Sequence, residues 1–365
     1  MIMTISATPE NNFPKARFGP PYLSEVIEKI FKQLPVEIYC ESLEGDASDR
    51  SYFRISLKNK IDRKIPQSLI VMQLKEPFHE QETDFTRILK FLRKLGLPAP
   101  ELFYYDVSRG LLFLEDCGIM TLEDQVKNFP QSKAKLYRQA VSLLFDMQTQ
   151  ATRAIDPTCP AYHLKFDVEK LIWEFNFMLD NYVDKFCRSP LESFARKELN
   201  EAFMPLCESL ATEELYFTHR DYHSRNLMFN EDHLILIDFQ DARMGPCQYD
   251  LVSLLKDSYM QIDDALVQEL IDFYIQLKEK AEGRKVDREK FNQIFDVMSI
   301  QRNLKAIGTF AYQSVNNNNN RYMVYISPTL NYARRALRRR FKGTALEKIL
   351  LKQIPGLGGK EVKEL

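Results

Sequence analysis

One stretch constrains this chain more than any other: Phe217-Thr-His-Arg-Asp-Tyr-His-Ser-Arg-Asn-Leu-Met-Phe229, followed after a short gap by Leu234-Ile-Leu-Ile-Asp-Phe-Gln-Asp241. The apolar residues on either side read as short buried strands, so the polar residues between them form a loop pinned at both ends. Within it His219, Arg220, Asp221 and Asn226 spell H-R-D-x-x-x-x-N. In phosphoryl transfer, that spacing lets the aspartate take the proton of an acceptor hydroxyl while the asparagine binds metal. The run Leu234 to Ile237 then delivers Asp238 to a strand end, where a second metal-binding carboxylate belongs. A plain turn would also use His, Asp and Asn to satisfy local backbone groups. Such a turn does not require Asp-Phe-Gln-Asp at the end of the next strand.

The length of 365 residues suggests two domains or one large bilobal unit, and 45% hydrophobic residues suffice for a sizeable core. Fifty basic against fifty-one acidic residues leave a net charge of −1, so nothing global favours nucleic acid or an anionic membrane. The six cysteines (40, 117, 159, 187, 207 and 247) form no C-x-x-C pair, which argues against a zinc site or a disulfide framework and for reduced thiols. The apolar opening Met1 to Ile5 is too short for a signal peptide core, and no stretch reaches membrane-spanning length. The expectation is a cytoplasmic protein without nucleic-acid or membrane partners.

Four domain segments follow from the pattern. Residues 1–20, with Pro9, Pro14 and Pro20, read as a leader; 21–116 as a small lobe; 117–343 as a helical lobe; 344–365 as an extension. The small lobe opens with a helix from Tyr22 to Phe31. Strands are predicted over Val36 to Tyr39, Tyr52 to Leu57 and Leu69 to Leu74, then a helix from about Glu80 to Leu95. The turn around Asp46, Ala47 and Ser48 is rich in small polar residues that let backbone N–H groups approach a phosphate, although a hairpin turn reads the same way. Because side chains alternate along a strand, Gln73 and Lys75 share a face, and either is a candidate to grip a nucleotide's phosphates. The strand pair Leu102 to Tyr105 and Gly110 to Gly118 runs into a crossover, in which Glu115, Asp116 and Cys117 are the expected hinge, with Gly118 as a turn residue.

Helical spacing dominates from Ser132 onward, over Leu136 to Met147, Phe166 to Tyr182 and Leu191 to Leu210. Glu174 lies at the edge of an apolar stripe. Asp250 stands where an N-terminal cap is expected before a helix from Leu251 to Tyr259. Along Arg288 to Ala311 the apolar row Phe291, Ile294, Phe295, Met298 continues to Arg302, so a charge interrupts a buried face and needs a partner, through an internal salt bridge, a snorkelling stem or a ligand. Arg334, Arg335, Arg338, Arg339, Arg340 and Lys342 read as a solvated helix face.

These residues resemble the aminoglycoside phosphotransferase-like kinases, whose fold is α+β and bilobal, protein-kinase-like, with a small antiparallel-sheet N-lobe and a mostly helical C-lobe. The resemblance covers about Tyr22 to Arg340. The wording His219 to Met228, Ile237-Asp-Phe-Gln-Asp-Ala242, Gly245-Pro246, Tyr249-Asp-Leu251, Trp173-Glu174 and Gln301-Arg302 with Lys305 is similar to the bacterial cell-wall sugar kinases that act on N-acetylmuramate and N-acetylglucosamine. That likeness implies an ATP- and Mg²⁺-dependent enzyme phosphorylating an anomeric hydroxyl in peptidoglycan recycling. It implies Asp221 as the base or acceptor-orienting carboxylate, Asn226 and Asp238 as metal ligands, the Asp46 to Ser51 turn over the phosphates, and Glu174, Asp241 and Arg302 at the sugar. Two departures stand out: no V-A-I-K lysine, since the strand reads Val71-Met-Gln-Leu-Lys75, and an unmatched tail past Arg340. A one-glycine phosphate turn, Asp-Phe-Gln in place of Asp-Phe-Gly and no A-P-E element set the chain apart from protein kinases. Rival expectations are a kinase of an aminoglycoside, choline-like or other small alcohol, and a nucleotide-binding pseudokinase.

Overall fold

The computed structural model describes residues 16–43, 50–58, 66–77 and 82–359. Helix α1 (Pro20–Phe31) opens on two prolines, whose fixed φ suits a first turn where a missing N–H costs nothing. Strands β1 (Glu37–Leu43), β2 (Ser51–Lys58) and β3 (Ser68–Gln73) follow, then α2 (Asp84–Lys94), β4 (Leu102–Asp106) and β5 (Leu111–Glu115). They form one antiparallel sheet in the order β1-β2-β3-β5-β4. Helix α2 starts at a capping box between Thr83 and Thr86. The expected phosphate turn, with Asp46, Ala47 and Ser48, lies outside the described residues, as does Glu80.

Alternation gives this sheet two different faces. Phe53, Ile55, Leu57, Leu69, Val71, Leu111 and Phe113 pack outward with Leu23, Val26 and Ile27 of α1. Tyr52, Ile70, Met72, Leu112 and Leu114 face inward, into a core that continues through Ile88, Leu89 and Leu92 of α2 to the helical lobe. The sheet therefore carries apolar residues on both sides, and its central strands β3 and β5 are buried along most of their length.

The second lobe comprises α3 (Leu122–Asn128), α4 (Lys133–Ala154), α5 (Val168–Met178), α6 (Ser193–Ala211), β6 (Leu215–Thr218), β7 (Leu227–Asn230), β8 (His233–Leu236), β9 (Arg243–Pro246), α7 (Gln248–Leu255), α8 (Asp264–Glu282), α9 (Arg288–Asn317), α10 (Ile326–Phe341) and α11 (Ala345–Gln353). Strand β6 pairs with β9, and β7 forms a hairpin with β8. Helix α5 continues as a π-helical segment, Leu179–Phe186. Among the described residues no helix is long and apolar enough to cross a membrane. Of the expected solvated arginines, Arg335 pairs with Asp264, and Arg339 and Arg340 with the buried Asp296 of α9, because α10 packs along α9.

The loop between β6 and β7 is held by two buried carboxylates. Arg220 adopts φ +81°, a left-handed conformation that lets neighbouring backbone N–H groups converge on an anion. Asp250 occupies that position: its Oδ2 accepts from His219 N at 2.7 Å and its Oδ1 from Arg220 N at 2.9 Å. It is not the cap of α7, whose N-cap position is Cys247; its side chain reaches back to the loop, whose paired donors would otherwise be buried and unmet. At the other end, Asp257 Oδ2 accepts from Ser224 N and Oγ, at 2.9 and 2.5 Å. Helix α7 accordingly stops at Leu255, short of the expected Tyr259.

Two stability predictions follow from this scaffold. Gly308 lets α9 approach α5 so closely that an added Cβ would lie 2.7 Å from Met178 Cα. Gly308→Ala should cost about 1–3 kcal/mol through overpacking, read as a lower urea midpoint. Asp250→Ala leaves two buried N–H groups unpaired and should cost about 2–5 kcal/mol, whereas Asp250→Asn keeps one acceptor and should cost less. Equal loss in the two variants would show that the paired N–H bonds are not what Asp250 contributes.

Candidate active site

The loop and the β8 end bring three predicted residues together. Asn226 Nδ2 donates to the Asp221 carbonyl at 2.9 Å and to Asp238 Oδ2 at 3.3 Å, while Gln240 Nε2 donates to Asp238 Oδ1 at 2.8 Å. Asp238 itself has φ +63°, a left-handed conformation uncommon for non-glycine residues and often retained where function needs a particular side-chain direction. The buried His219 ties this residue to the loop, because its Nε2 donates to the Ile237 carbonyl at 3.0 Å. Burial lowers the His219 pKa, which keeps the ring neutral. Behind Asp238, the rings of Phe239 and Phe85 of α2 stack at 5.1 Å and 22°.

No described residue donates to Asn226 Oδ1, which leaves a hard oxygen donor beside the Asp238 carboxylate. This donor set suits Mg²⁺, which is typically held by one or two protein oxygens with water and phosphate oxygens completing an octahedron. Among the described residues, no cluster of three or more His, Cys, Asp or Glu forms an all-protein metal cage. The fit is therefore to a metal shared with a phosphate ligand.

Asp221 sits in a cationic setting. Its Oδ1 lies 3.3 Å from Lys305 Nζ of α9. Burial pushes its carboxyl up, but Lys305, Arg220 and Arg302 outweigh that and hold it well below the usual carboxylate range. Burial itself pulls the neighbouring His223 down to about 3, so that ring adds no charge. Lys305 belongs to the Gln301-Arg302 with Lys305 wording that carries the family resemblance, and its i, i+3 spacing puts it on the same helix face as Arg302.

Glu174, expected at the edge of a stripe, is fully buried on α5. Gln301 Nε2 donates to its Oε2 at 2.9 Å, and Lys170 Nζ and Arg220 NH2 lie 3.7 and 3.9 Å from its Oε1. Arg220 also pairs with the half-exposed Asp241 at 3.0 Å. Glu174 and Asp241 thus meet through Arg220 next to Asp221. The predicted partner for Arg302 is not a carboxylate: its Nε donates to Ser253 Oγ of α7 at 3.0 Å, with the side chain buried. Arg243 joins the same group of charges, sensing Arg220, Glu174 and Asp241. Around Asp221, Glu174 and Asp241 the structure gathers Lys170, Arg220, Arg243, Arg302 and Lys305, so cations outnumber the carboxylates that face them. The buried Asp250 and Asp257 both feel Arg302, and Asp250 also feels Asp221, so they temper this positive charge although their oxygens are turned into the loop backbone.

Between the lobes, Asp116 is engaged by the protein. Arg54 clasps both its oxygens at 2.7 and 3.1 Å and also reaches the Gly118 carbonyl at 2.9 Å, and Ser68 Oγ donates to it. Glu115 accepts from Glu101 N. Burial pushes the adjacent Cys117 thiol up to about 12, which leaves it an inert packing group. Hinge recognition by these three residues would fall to the backbone. Gln73 turns to the outer face, where its Oε1 accepts from Arg17 N at 2.7 Å. Lys75 lies beyond the end of β3, exposed, with its carbonyl accepting from Arg17 NH2. No contact among the described residues brings either to Asp221, Asn226 or Asp238.

A model of the phosphotransferase enzyme family (APH) matches residues 40–285. Over 300 residues the chain is 28% identical to an N-acetylmuramate/N-acetylglucosamine kinase of Neisseria meningitidis serogroup B, covering 81% of this chain and 84% of that protein. Its fold is similar to that of choline kinase from Cryptosporidium parvum Iowa II, with a TM-score of 0.59, 11% identity and coverage of 90% and 99%. It is also similar to the ADP-bound aminoglycoside phosphotransferase APH(2'')-Ib, with a TM-score of 0.55, 15% identity and coverage of 88% and 99%. The fold is thus the bilobal α+β kinase-like one. Since the family match spans well over half of its length and contains the loop that joins Asp221 to Asn226 and Asp238, the chain belongs to the phosphotransferase enzyme family.

Proposed function

We propose that this protein transfers the γ-phosphoryl group of ATP to the anomeric hydroxyl of an amino sugar, N-acetylmuramate or N-acetylglucosamine, in the cytoplasm as part of cell-wall recycling. The observation that carries the acceptor class is the cationic setting of Asp221, with Lys305 at 3.3 Å and Arg220 and Arg302 nearby. An aspartate held in its ionised form is a weak base, and an anomeric hydroxyl is more acidic than an ordinary alcohol. Positioning by Asp221 is then sufficient, in keeping with a reaction that asks the protein mainly for alignment and charge neutralisation. The cations that flank Asp221 disfavour polycationic aminoglycosides and quaternary ammonium alcohols, and they suit a neutral sugar or one bearing a carboxylate. The name of the Neisseria relative supports the same acceptor class.

In this reading Asp221 accepts the hydroxyl proton as the oxygen–phosphorus bond forms and the bond to the ADP leaving group breaks. Asn226 and Asp238 would hold Mg²⁺, which supplies neutralisation of the phosphate charge. Arg220, fixed by Glu174 and Asp241, orients the sugar side of the cleft. The backbone of Glu115 to Cys117 meets the adenine, and the lobes divide between residues 116 and 117.

Incubation with ATP, Mg²⁺ and N-acetylmuramate, N-acetylglucosamine, glucose, choline or kanamycin, read by ³¹P NMR, tests the proposal. Phosphate at C1 of the amino sugars is expected. Turnover of choline or kanamycin in preference to both amino sugars, or ATP binding without any turnover, would replace it. Asp221→Ala and Asp238→Ala should each fold, judged by an unchanged circular dichroism spectrum, and lose activity by at least about 1,000-fold; wild-type rates in either would sink the assignment. Arg302→Met should raise KM for N-acetylmuramate about tenfold relative to that for N-acetylglucosamine, because only the former carries a carboxylate.

A further inference from the structure

The sheet's alternation leaves one function without its usual residue. In kinase chemistry a lysine on the third strand grips the nucleotide's phosphates, but here Gln73 points to the outer face and contacts Arg17, and the inward residue beside it is Met72. The inward row of β2 supplies the cations. It runs Arg50, Tyr52, Arg54, and Tyr52 pairs directly with Met72 across the ladder. Arg54 is committed to Asp116 and the Gly118 carbonyl at the hinge end. Arg50 lies at the opposite end of the row, toward the catalytic loop. Its guanidinium carbon is 5.7 Å from the centroid of Phe85, the ring stacked on Phe239 next to Asp238.

We propose that Arg50, the residue that leads into β2 and reaches over Phe85, is the cation that grips the nucleotide's phosphate chain in place of a third-strand lysine. Tyr52 links it to the metal-binding carboxylate: burial raises the Tyr52 hydroxyl, Arg50 pulls it down by charge and by a hydrogen bond, and Asp238 pushes it up. The Tyr52 hydroxyl thus feels both charges, and the guanidinium it bonds stands over the Phe85 ring that stacks on Phe239, the neighbour of Asp238. A guanidinium suits this position because its planar fork can stay on an aromatic ring and still donate to phosphate oxygens. The proposal rests on the kinase reading above for its ligand, a nucleoside polyphosphate, but not on the identity of the acceptor.

Calorimetric titration of the full-length protein with adenosine, AMP, ADP and ATP in the presence of Mg²⁺ provides the test. Arg50→Met should weaken ATP and ADP binding by about ten- to a hundredfold with adenosine affinity unchanged, and Arg50→Lys should recover part of the loss. Matching circular dichroism spectra and melting temperatures keep a folding defect from imitating the result. ATP affinity within threefold of wild type in Arg50→Met, or a larger loss in Lys75→Met than in Arg50→Met, would overturn the proposal. So would an equal loss for adenosine and ATP. If wild type binds ATP but phosphorylates no amino sugar, the acceptor assignment fails while the same titrations still decide the role of Arg50.

Discussion

The bond between the Asp250 carboxylate and the consecutive N–H groups of His219 and Arg220 is the interaction on which the site depends. A left-handed residue in the middle of a loop is unfavourable alone, and two converging N–H groups in a protein interior are worse without an acceptor. One buried carboxylate answers both costs. It sits on α7, every residue of which is buried, so the loop is referred to the core and not to solvent. Ser253 of the same helix accepts from Arg302 on α9. Helix α7 thus sets the distance between the loop bearing Asp221 and the helix bearing Lys305.

That distance governs the chemistry available to Asp221. A carboxylate buried among apolar groups would rise in pKa and serve as a strong base, or stay protonated and serve as none. Here the nearby cations hold it ionised, which trades basicity for a fixed negative charge. The same cations shape what can enter. Lys170, Arg220 and Arg243 are balanced in part by Glu174 and Asp241. The fold is common to choline kinase and aminoglycoside phosphotransferase structures, so the scaffold alone does not fix an acceptor.

In the small lobe a single-residue parity has comparable weight. Side chains on a strand alternate with period two, so a cation displaced by one position faces the wrong side of the sheet. Gln73 faces α1 and the N-terminal segment, and Met72 fills the inner position. The inner side retains Arg54 on β2 and Arg50 just before it. The hinge end of that row is closed by the bidentate Arg54–Asp116 pair, a geometry that fixes the crossover as well as its charge.

Much of the fold was legible from the residues. The strand–helix order, the apolar stripes and the run from His219 to Asp241 placed Asp221, Asn226 and Asp238 together, because local spacing and short connections leave the chain few alternatives there. Other features depended on contacts between residues far apart in sequence. Asp250 read as a helix cap because its partners lie some thirty residues earlier, and Arg302 read as a candidate for a salt bridge because the hydroxyl of Ser253 leaves no periodic signal. Lys305, Glu174 and Arg220 converge only when α9, α5 and the loop pack. The sequence by itself determined most of the elements and the loop that joins Asp221 to Asn226 and Asp238, since each is encoded within a few residues. Only the tertiary structure decided which charges surround Asp221 and which face of the sheet carries a cation, because electrostatic energy depends on distance in space, and packing alone sets that distance.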